Sequence, residues 1–322
     1  MRKGSGRISM QLSKFSMFST QKDAFLSASS KGSIAYFNGE WRPHAECTVS
    51  IEDQSFRYGY GAFDTLRTFD GKLFRPQAHM DRFQQTLNAV GLPQPFTDKQ
   101  WIDIMQECVE RNHEIRNSDE WGGDHWVSIR QTPSTTIVEA QPIPFRTRAK
   151  VFKNGAKVTV PSIRRTPPEC LPPRAKLHQY VNQILGDLEV KASDPDAWSV
   201  MLDTRGFVAE GKSYNFFIVT KDGVLKTARP QYVLEGVARK TILECAKELG
   251  IETQECDYDM YDMYQASEAF ITATSLCALP VLSINGRSLG DSMPGPITRK
   301  LQLAYSKKAG VEDFVQQYLR YI

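Results

Sequence analysis

A lysine acts as a covalent nucleophile only where burial or a neighbouring positive charge lowers its pKa. Lys176 follows Pro167, Pro168, Pro172 and Pro173, a proline-stiffened loop, and stands close to Arg174. Loops held by rigid flanks commonly carry functional groups, although the same lysine read alone is an ordinary solvated cation. A second group lies in the run MLDTRGFVAEGKSYNFF, Met201 to Phe217. Asp203 and Gly206 form a turn there, and Val208 and Glu210 then share a strand face, because strand side chains alternate. An inward glutamate beside a valine needs a cationic partner, since a lone buried carboxylate is costly. An arginine, a lysine or a protonated pyridine-type ring nitrogen would serve.

Three places suit an anion. Gly236, Val237 and Ala238 open an amphipathic helix whose first backbone N–H groups are free to bind one. Thr274 and Ser275 end an apolar strand with hydroxyls. Arg82, in His79-Met80-Asp81-Arg82-Phe83, has the planar fork that grips phosphate. Each also has a plain structural reading: a helix start, a strand-favouring threonine, an exposed helical arginine. Trp126, Ser128 and Arg130 alternate onto one face of a strand, so Arg130 or Arg67 is available to a carboxylate, or equally to a neighbouring acid.

The elements that must hold these groups are readable from periodicity. Ile34 to Phe37 and the return at Trp41 form a hairpin about Asn38-Gly39-Glu40. Gly61 to Phe69 is a strand that turns at Asp70-Gly71 into Lys72 to Arg75. His79 to Val90 and Gln100 to Arg111 are helices, Asn112 to Asp124 a loop, and His125 to Thr132 and Thr135 to Gln141 strands. Pro142 to Arg148, rich in proline and arginine, reads as a link between two lobes. Beyond it come a strand at Lys157 to Val160 and a helix at Tyr180 to Lys191. Strands follow at Trp198 to Asp203, Phe207 to Glu210, Asn215 to Thr220 and Glu268 to Thr274. The spacing predicts further helices at Val237 to Leu249, Pro296 to Lys307 and Val311 to Tyr318. The expected organisation is a tail over 1–32, a small α/β domain over 33–145 and a large one over 146–322.

The bulk numbers exclude other classes. Forty basic against 37 acidic residues give a net charge of +3, too near neutral for a nucleic-acid partner. Six scattered cysteines, without a CxxC pair, argue against a disulfide scaffold and a zinc site and for reduced thiols in a cytoplasmic protein. No apolar run is long enough to span a bilayer. Residues 1–22 are basic, serine-rich and free of acids, mildly like a transit peptide; a poorly packed tail is the plainer reading.

Taken in order, these pieces form a pattern that none makes alone. The runs Phe56-Arg57-Tyr58-Gly59-Tyr60-Gly61-Ala62-Phe63-Asp64-Thr65-Leu66-Arg67 and His79-Met80-Asp81-Arg82 come first. Lys176, Leu202-Asp203…Gly206-Phe207-Val208-Ala209-Glu210-Gly211, Gly236-Val237 and Glu268…Phe270…Thr274 follow. Together, over roughly residues 33 to 315, the chain resembles the fold-type IV pyridoxal-phosphate enzymes: branched-chain, D-amino-acid and (R)-amine aminotransferases and aminodeoxychorismate lyase. The resemblance implies an α+β, two-lobed, D-amino-acid aminotransferase-like fold. It implies pyridoxal 5'-phosphate as cofactor, an amino donor and a 2-oxo acid as substrates, and a homodimer whose partner loops complete the pocket.

By the same resemblance, Lys176 bonds the cofactor and shuttles a proton, Glu210 pairs with the ring nitrogen, and Tyr180 bonds the ring oxygen. Arg82, Gly236, Val237, Ala238 and Thr274 hold the phosphate. Tyr58 and Phe63 fall where the branched-chain type carries aromatics, which suits an apolar side chain; with Arg67, Trp126, Ser128, Arg130 and Ser275 they make up the expected substrate site. Thr65 stands where that type has glycine, and Ser128 where some members place an arginine. These departures keep an (R)-amine or D-amino-acid transaminase, or a lyase, as alternatives.

Overall fold

The computed structural model describes residues 32–117, 122–290 and 292–322. The transit-like composition over 1–22 and all of the expected tail over 1–32 but its last residue fall outside that range.

The first lobe is an antiparallel sheet. β1 (Ile34–Phe37) and β2 (Glu40–Pro43) meet at Asn38-Gly39, where φ of 49° and 97° supplies the left-handed pair that a two-residue hairpin of the right twist requires. α1 (Gln54–Tyr58) precedes β3 (Ala62–Phe69), which turns into β4 (Lys72–Leu73). α2 (Pro76–Val90), α3 (Asp98–Arg111) and the short α4 (His113–Arg116) lead to β5 (His125–Gln131) and β6 (Thr136–Pro142). The six strands lie in the order β2-β1-β6-β5-β3-β4. Strand alternation divides the sheet in two. Leu66, Val127, Ile129 and Val138 face Met80, Phe83 and Leu87 of α2 and Trp101 and Met105 of α3 in a buried cluster. Phe63, Thr65, Trp126, Ser128 and Arg130 point the other way and stay half-buried.

The second lobe begins with α5 (Phe145–Asn154), β7 (Ala156–Thr159), α6 (Val181–Ser193), β8 (Trp198–Leu202), β9 (Val208–Gly211) and β10 (Asn215–Val219). β11 (Leu225–Thr227), α7 (Val237–Glu248), β12 (Thr253–Glu255), α8 (Met260–Gln265) and β13 (Glu268–Thr272) continue it. β14 (Leu279–Ile284), β15 (Arg287–Ser288), α9 (Pro296–Ala309) and α10 (Gln316–Leu319) complete the chain. β9 pairs with both β8 and β10, so β10, β13, β14, β7, β8 and β9 close into a ring. β10 and β13 are buried along their whole length, and the Phe217 and Phe270 rings stack 4.9 Å apart between them. All six cysteines are free thiols. Among the described residues, no helix is long and apolar enough to cross a membrane.

Three elements depart from the sequence expectation. The stretch expected as a link contains the start of α5, whose Phe145, Ala149 and Phe152 are buried at helical spacing. Pro142 and Pro144 gave a loop signal, but Pro144 occupies the N-cap position, where a proline costs the helix nothing. The expected loop after α3 contains α4. The closing helix expected at Val311 to Tyr318 shrinks to α10, because Asp313 turns its side chain onto the Val315 N–H and forms a local turn instead.

Candidate active site

Lys176 reaches its position through backbone pairing. The segment after the prolines runs along the free edge of β3, with a bridge between Ala62 and Leu177 and a hydrogen bond from the Phe63 N–H to the Lys176 carbonyl at 3.0 Å. The Lys176 amine is half-buried over the Phe63 ring, 4.3 Å from its centroid, and donates to the Tyr180 hydroxyl at 3.1 Å. Among the described residues no carboxylate forms an ion pair with it.

A chain of contacts leads from the Lys176 backbone to the other candidates. The Lys176 N–H donates to Thr86 Oγ1 at 3.2 Å, and Thr86 Oγ1 donates to the Arg82 carbonyl at 3.0 Å, one turn back on α2. Arg82 donates to both oxygens of Asp64, at 2.9 and 2.7 Å, and through its remaining terminal nitrogen to the Glu235 carbonyl at 3.1 Å. Glu235 immediately precedes Gly236, the N-cap of α7, which no side chain caps. One residue earlier, the Leu234 N–H donates to Glu210 Oε2 at 2.9 Å. Lys176, Arg82, Glu210 and the α7 N-terminus therefore share one neighbourhood.

Electrostatics fix these groups. Burial opposes the charge on Asp64, yet Arg82 and His79 hold its carboxyl far below the ordinary range. The same burial lowers the pKa of His79, whose Nδ1 lies 2.7 Å from Asp64. Glu210 has found the cation its burial demands: Arg165 donates to Oε1 at 3.0 Å. Sequence reasoning missed Arg165, Asp64 and His79. The His79–Arg82 spacing places both on one face of α2 and was a usable signal; Arg165, 45 positions before Glu210, offered none.

Glu210, Asn215 and Thr272 stand side by side across three strands, a polar row in an apolar sheet. Asn215 donates to the Leu234 carbonyl at 2.8 Å. Thr272 Oγ1 is buried with no hydrogen-bond partner among the described residues. Thr274 donates to the Thr65 carbonyl at 3.0 Å, and Thr65 meets Ser128 at 3.1 Å. The floor of the cleft is thus small and polar between Phe63 and Trp126.

The arginines expected to be open to a carboxylate are engaged. Arg130 is paired to Glu139, which also meets His44 at 2.8 Å. Arg67 is fully buried, lying over Phe69 at 3.8 Å and donating to Gln317 at 2.6 Å. Tyr58 is exposed on α1 and is not brought to Lys176 within this chain. Ser275 is buried and accepts a hydrogen bond from Arg148, another residue the sequence reading passed over.

An uncapped helix start beside an arginine, an amine without a counter-ion, a paired carboxylate and an orphaned hydroxyl fit a phosphate-bearing heterocycle. The family model described as amino-transferase class IV matches residues 61–284. The chain is 34% identical to a putative branched-chain-amino-acid aminotransferase of Methanocaldococcus jannaschii, over 83% of this chain and 93% of the relative. It is 26% identical to a D-alanine aminotransferase of Bacillus licheniformis, over 83% of this chain and 94% of the relative. Among solved structures, it resembles the branched-chain aminotransferase of Thermoproteus uzoniensis with norvaline. The TM-score is 0.77 at 27% identity, covering 90% of this chain and 98% of that one.

Proposed function

The chain belongs to the class IV aminotransferases, and from that premise we propose that it moves an amino group from an apolar amino acid or amine to a 2-oxo acid using pyridoxal 5'-phosphate. The observation that carries this reading is the contact chain from the Lys176 backbone N–H through Thr86 and Arg82 to the α7 N-terminus and Glu210, with the Lys176 amine held beside it on the Tyr180 hydroxyl. When bound, the cofactor supplies an electron sink for the substrate's Cα electrons.

The remaining work falls to this chain's own residues. Arg82 and the first N–H groups of α7 at Val237 and Ala238 bind the phosphate, with Thr274 at the flank. Asp64 holds the Arg82 fork in place. Glu210 presents a carboxylate to the ring nitrogen, backed by Arg165. Tyr180 bonds the ring oxygen, and the Lys176 amine bonds the cofactor and carries the proton at substrate Cα. Phe63 and Trp126 wall the substrate pocket, which lies between the lobes 33–145 and 146–322. Two copies pair, and the partner's α1 aromatics complete the pocket. The D-alanine aminotransferase relative and the Thr65–Ser128 contact favour a second reading, a D-amino-acid or (R)-amine donor.

The test is the donor half-reaction followed by cofactor absorbance, with both enantiomers of leucine, alanine and 1-phenylethylamine, then pyruvate or 2-oxoglutarate as acceptor. L-Leucine should react fastest; a preference for the opposite enantiomers moves the reading to the second. Pyruvate release from aminodeoxychorismate with no acceptor present would mark a lyase. Lys176→Ala should abolish the borohydride-fixable adduct and slow turnover by at least about a hundredfold. An adduct that survives overturns Lys176 as the covalent residue.

A further inference from the structure

We infer that Arg148, on α5, receives a carboxylate of the amino acid or 2-oxo acid substrate. The inference rests on the aminotransferase reading of this cleft. Arg148 is half-buried, with its guanidinium 5.3 Å from the Trp126 ring centroid and one nitrogen donating to the Ser275 hydroxyl. The Tyr318 hydroxyl, which donates to the Ser275 carbonyl, closes it from the side.

The three other arginines considered for this cleft each have an acid nearby. Arg82 has Asp64, Arg130 has Glu139, and Arg67 has Asp124 at 4.0 Å. Asp124 is already held by Thr68, the Gly71 N–H and Gln317. Among the described residues no carboxylate lies within ion-pair distance of Arg148. Burial pushes its pKa down; Tyr318 opposes that shift and the Arg67 charge adds to it. An unpaired, partly desolvated guanidinium is costly to keep, and an arriving anion removes the cost.

Its place in the fold says which anion. Ser275 follows Thr274, whose hydroxyl is bonded to Thr65; Thr65 meets Ser128, and Trp126 lies two residues along the same strand face. The Arg148 guanidinium therefore stands over the Trp126 end of the cleft whose other end is Phe63 with the Lys176 amine above it. A substrate bonded near Lys176 and lying over the small Thr65–Ser128 floor points an acid group at Arg148. That group is either the α-carboxylate or the side-chain carboxylate of a dicarboxylic substrate.

Calorimetric titration of the cofactor-loaded enzyme with unreactive 4-methylpentanoate, glutarate and 4-methylpentanamide decides it. Arg148→Met keeps the stem over Trp126 and removes the charge. It should weaken acid binding about ten- to a hundredfold and leave the amide unmoved. Loss on both acids assigns the α-carboxylate; loss on glutarate alone assigns the side-chain carboxylate. Equal weakening of all three ligands, no change in any, or a wild type that binds acids no better than the amide overturns the inference. If the methionine variant does not fold, Arg148→Lys decides alone. It keeps the charge and loses the fork, so acid affinity should drop about three- to tenfold with the amide unmoved; any other pattern overturns it. These are binding measurements, so a wild type inert to every amino donor would overturn the proposed function and leave the Arg148 result standing.

Discussion

Asp64 engages two nitrogens of Arg82 and leaves the third for the chain just before α7, so a single buried carboxylate sets the aim of the proposed phosphate-binding fork. Glu139 shows the same physics where it can be measured without a ligand. Burial alone would raise its pKa, but Arg130 and His44 pull it down to about 2 from an ordinary 4.5. A carboxyl with a depressed folded-state pKa adds stability above its unfolded value and loses it as pH falls through the folded one. The Glu139 contribution should therefore be intact above pH 4.5 and disappear by about pH 2. The shift corresponds to roughly 3 kcal/mol. His44 runs the other way: Glu139 raises its pKa, so its share is present below 6.5 and fades as pH rises through the higher folded value. Denaturant melts of wild type and Glu139→Gln across pH 2 to 8 check this. The difference between them should be largest between about pH 4.5 and 6.5 and vanish at acid pH; a constant difference would show that the pair's charge is irrelevant. Lys176, Glu210 and Arg82 were legible in the sequence as residue types at telling positions. Asp64, Arg165 and Arg148 were not, because their partners lie 18, 45 and 127 positions away and only the folded sheets bring them together.

At the scale of elements, the N-terminus of α7 is useful because nothing of its own caps it. Gly236 sits there with an ordinary φ of −62°, so the glycine is not needed for backbone freedom. What it supplies is room: a Cβ at this position would lie 2.4 Å from Asn215 Oδ1. Asn215 cannot swing aside cheaply, since its amide holds the Leu234 carbonyl at 2.8 Å and lies 3.4 Å from Glu210. Gly236→Ala should by itself stabilise the folded chain by about 0.4–1 kcal/mol through the unfolded state. Losing the Asn215 hydrogen bonds costs about 1–3 kcal/mol. The balance is destabilising, and the disturbance falls on the proposed phosphate and ring-nitrogen contacts together. Titrating the apoenzyme with pyridoxal phosphate should show affinity lowered about tenfold, with Tm down by a few degrees; unchanged affinity would remove α7 from the phosphate site. The helix itself was legible from its apolar spacing. α5 was not, because Pro142 and Pro144 signal an irregular stretch and the helix they introduce is defined by what Phe145, Ala149 and Phe152 bury.

For the whole molecule, the proposed pairing of two copies makes its own demand on the surface. Val181, Ile184, Leu185 and Leu188 recur at helical spacing on α6 and form an apolar stripe turned outward, with Val181 66% exposed. α1 adjoins the segment that leads into α6: Ser55 meets His178 at 2.5 Å, and Gln179 donates to the Tyr58 carbonyl at 3.4 Å. Phe56 and Tyr58 on α1 extend the patch, 72% and 64% exposed. Scattered apolar side chains on a surface need no explanation, but a contiguous patch of this kind marks an interaction site. A second copy meeting it about a twofold axis would present the same patch in return. Leu185→Lys places a charge in the middle of that stripe and touches no residue of the proposed cofactor cluster. Sedimentation at micromolar concentration should give a dimer for the wild type and a monomer for the variant, with the monomer's far-UV spectrum intact. Turnover should fall with dissociation and recover in part as protein concentration rises, because the partner's α1 aromatics are proposed to complete the pocket. A wild-type monomer, or a monomeric variant with full activity, would mean that one chain holds the whole site and that Tyr58 has no part in it.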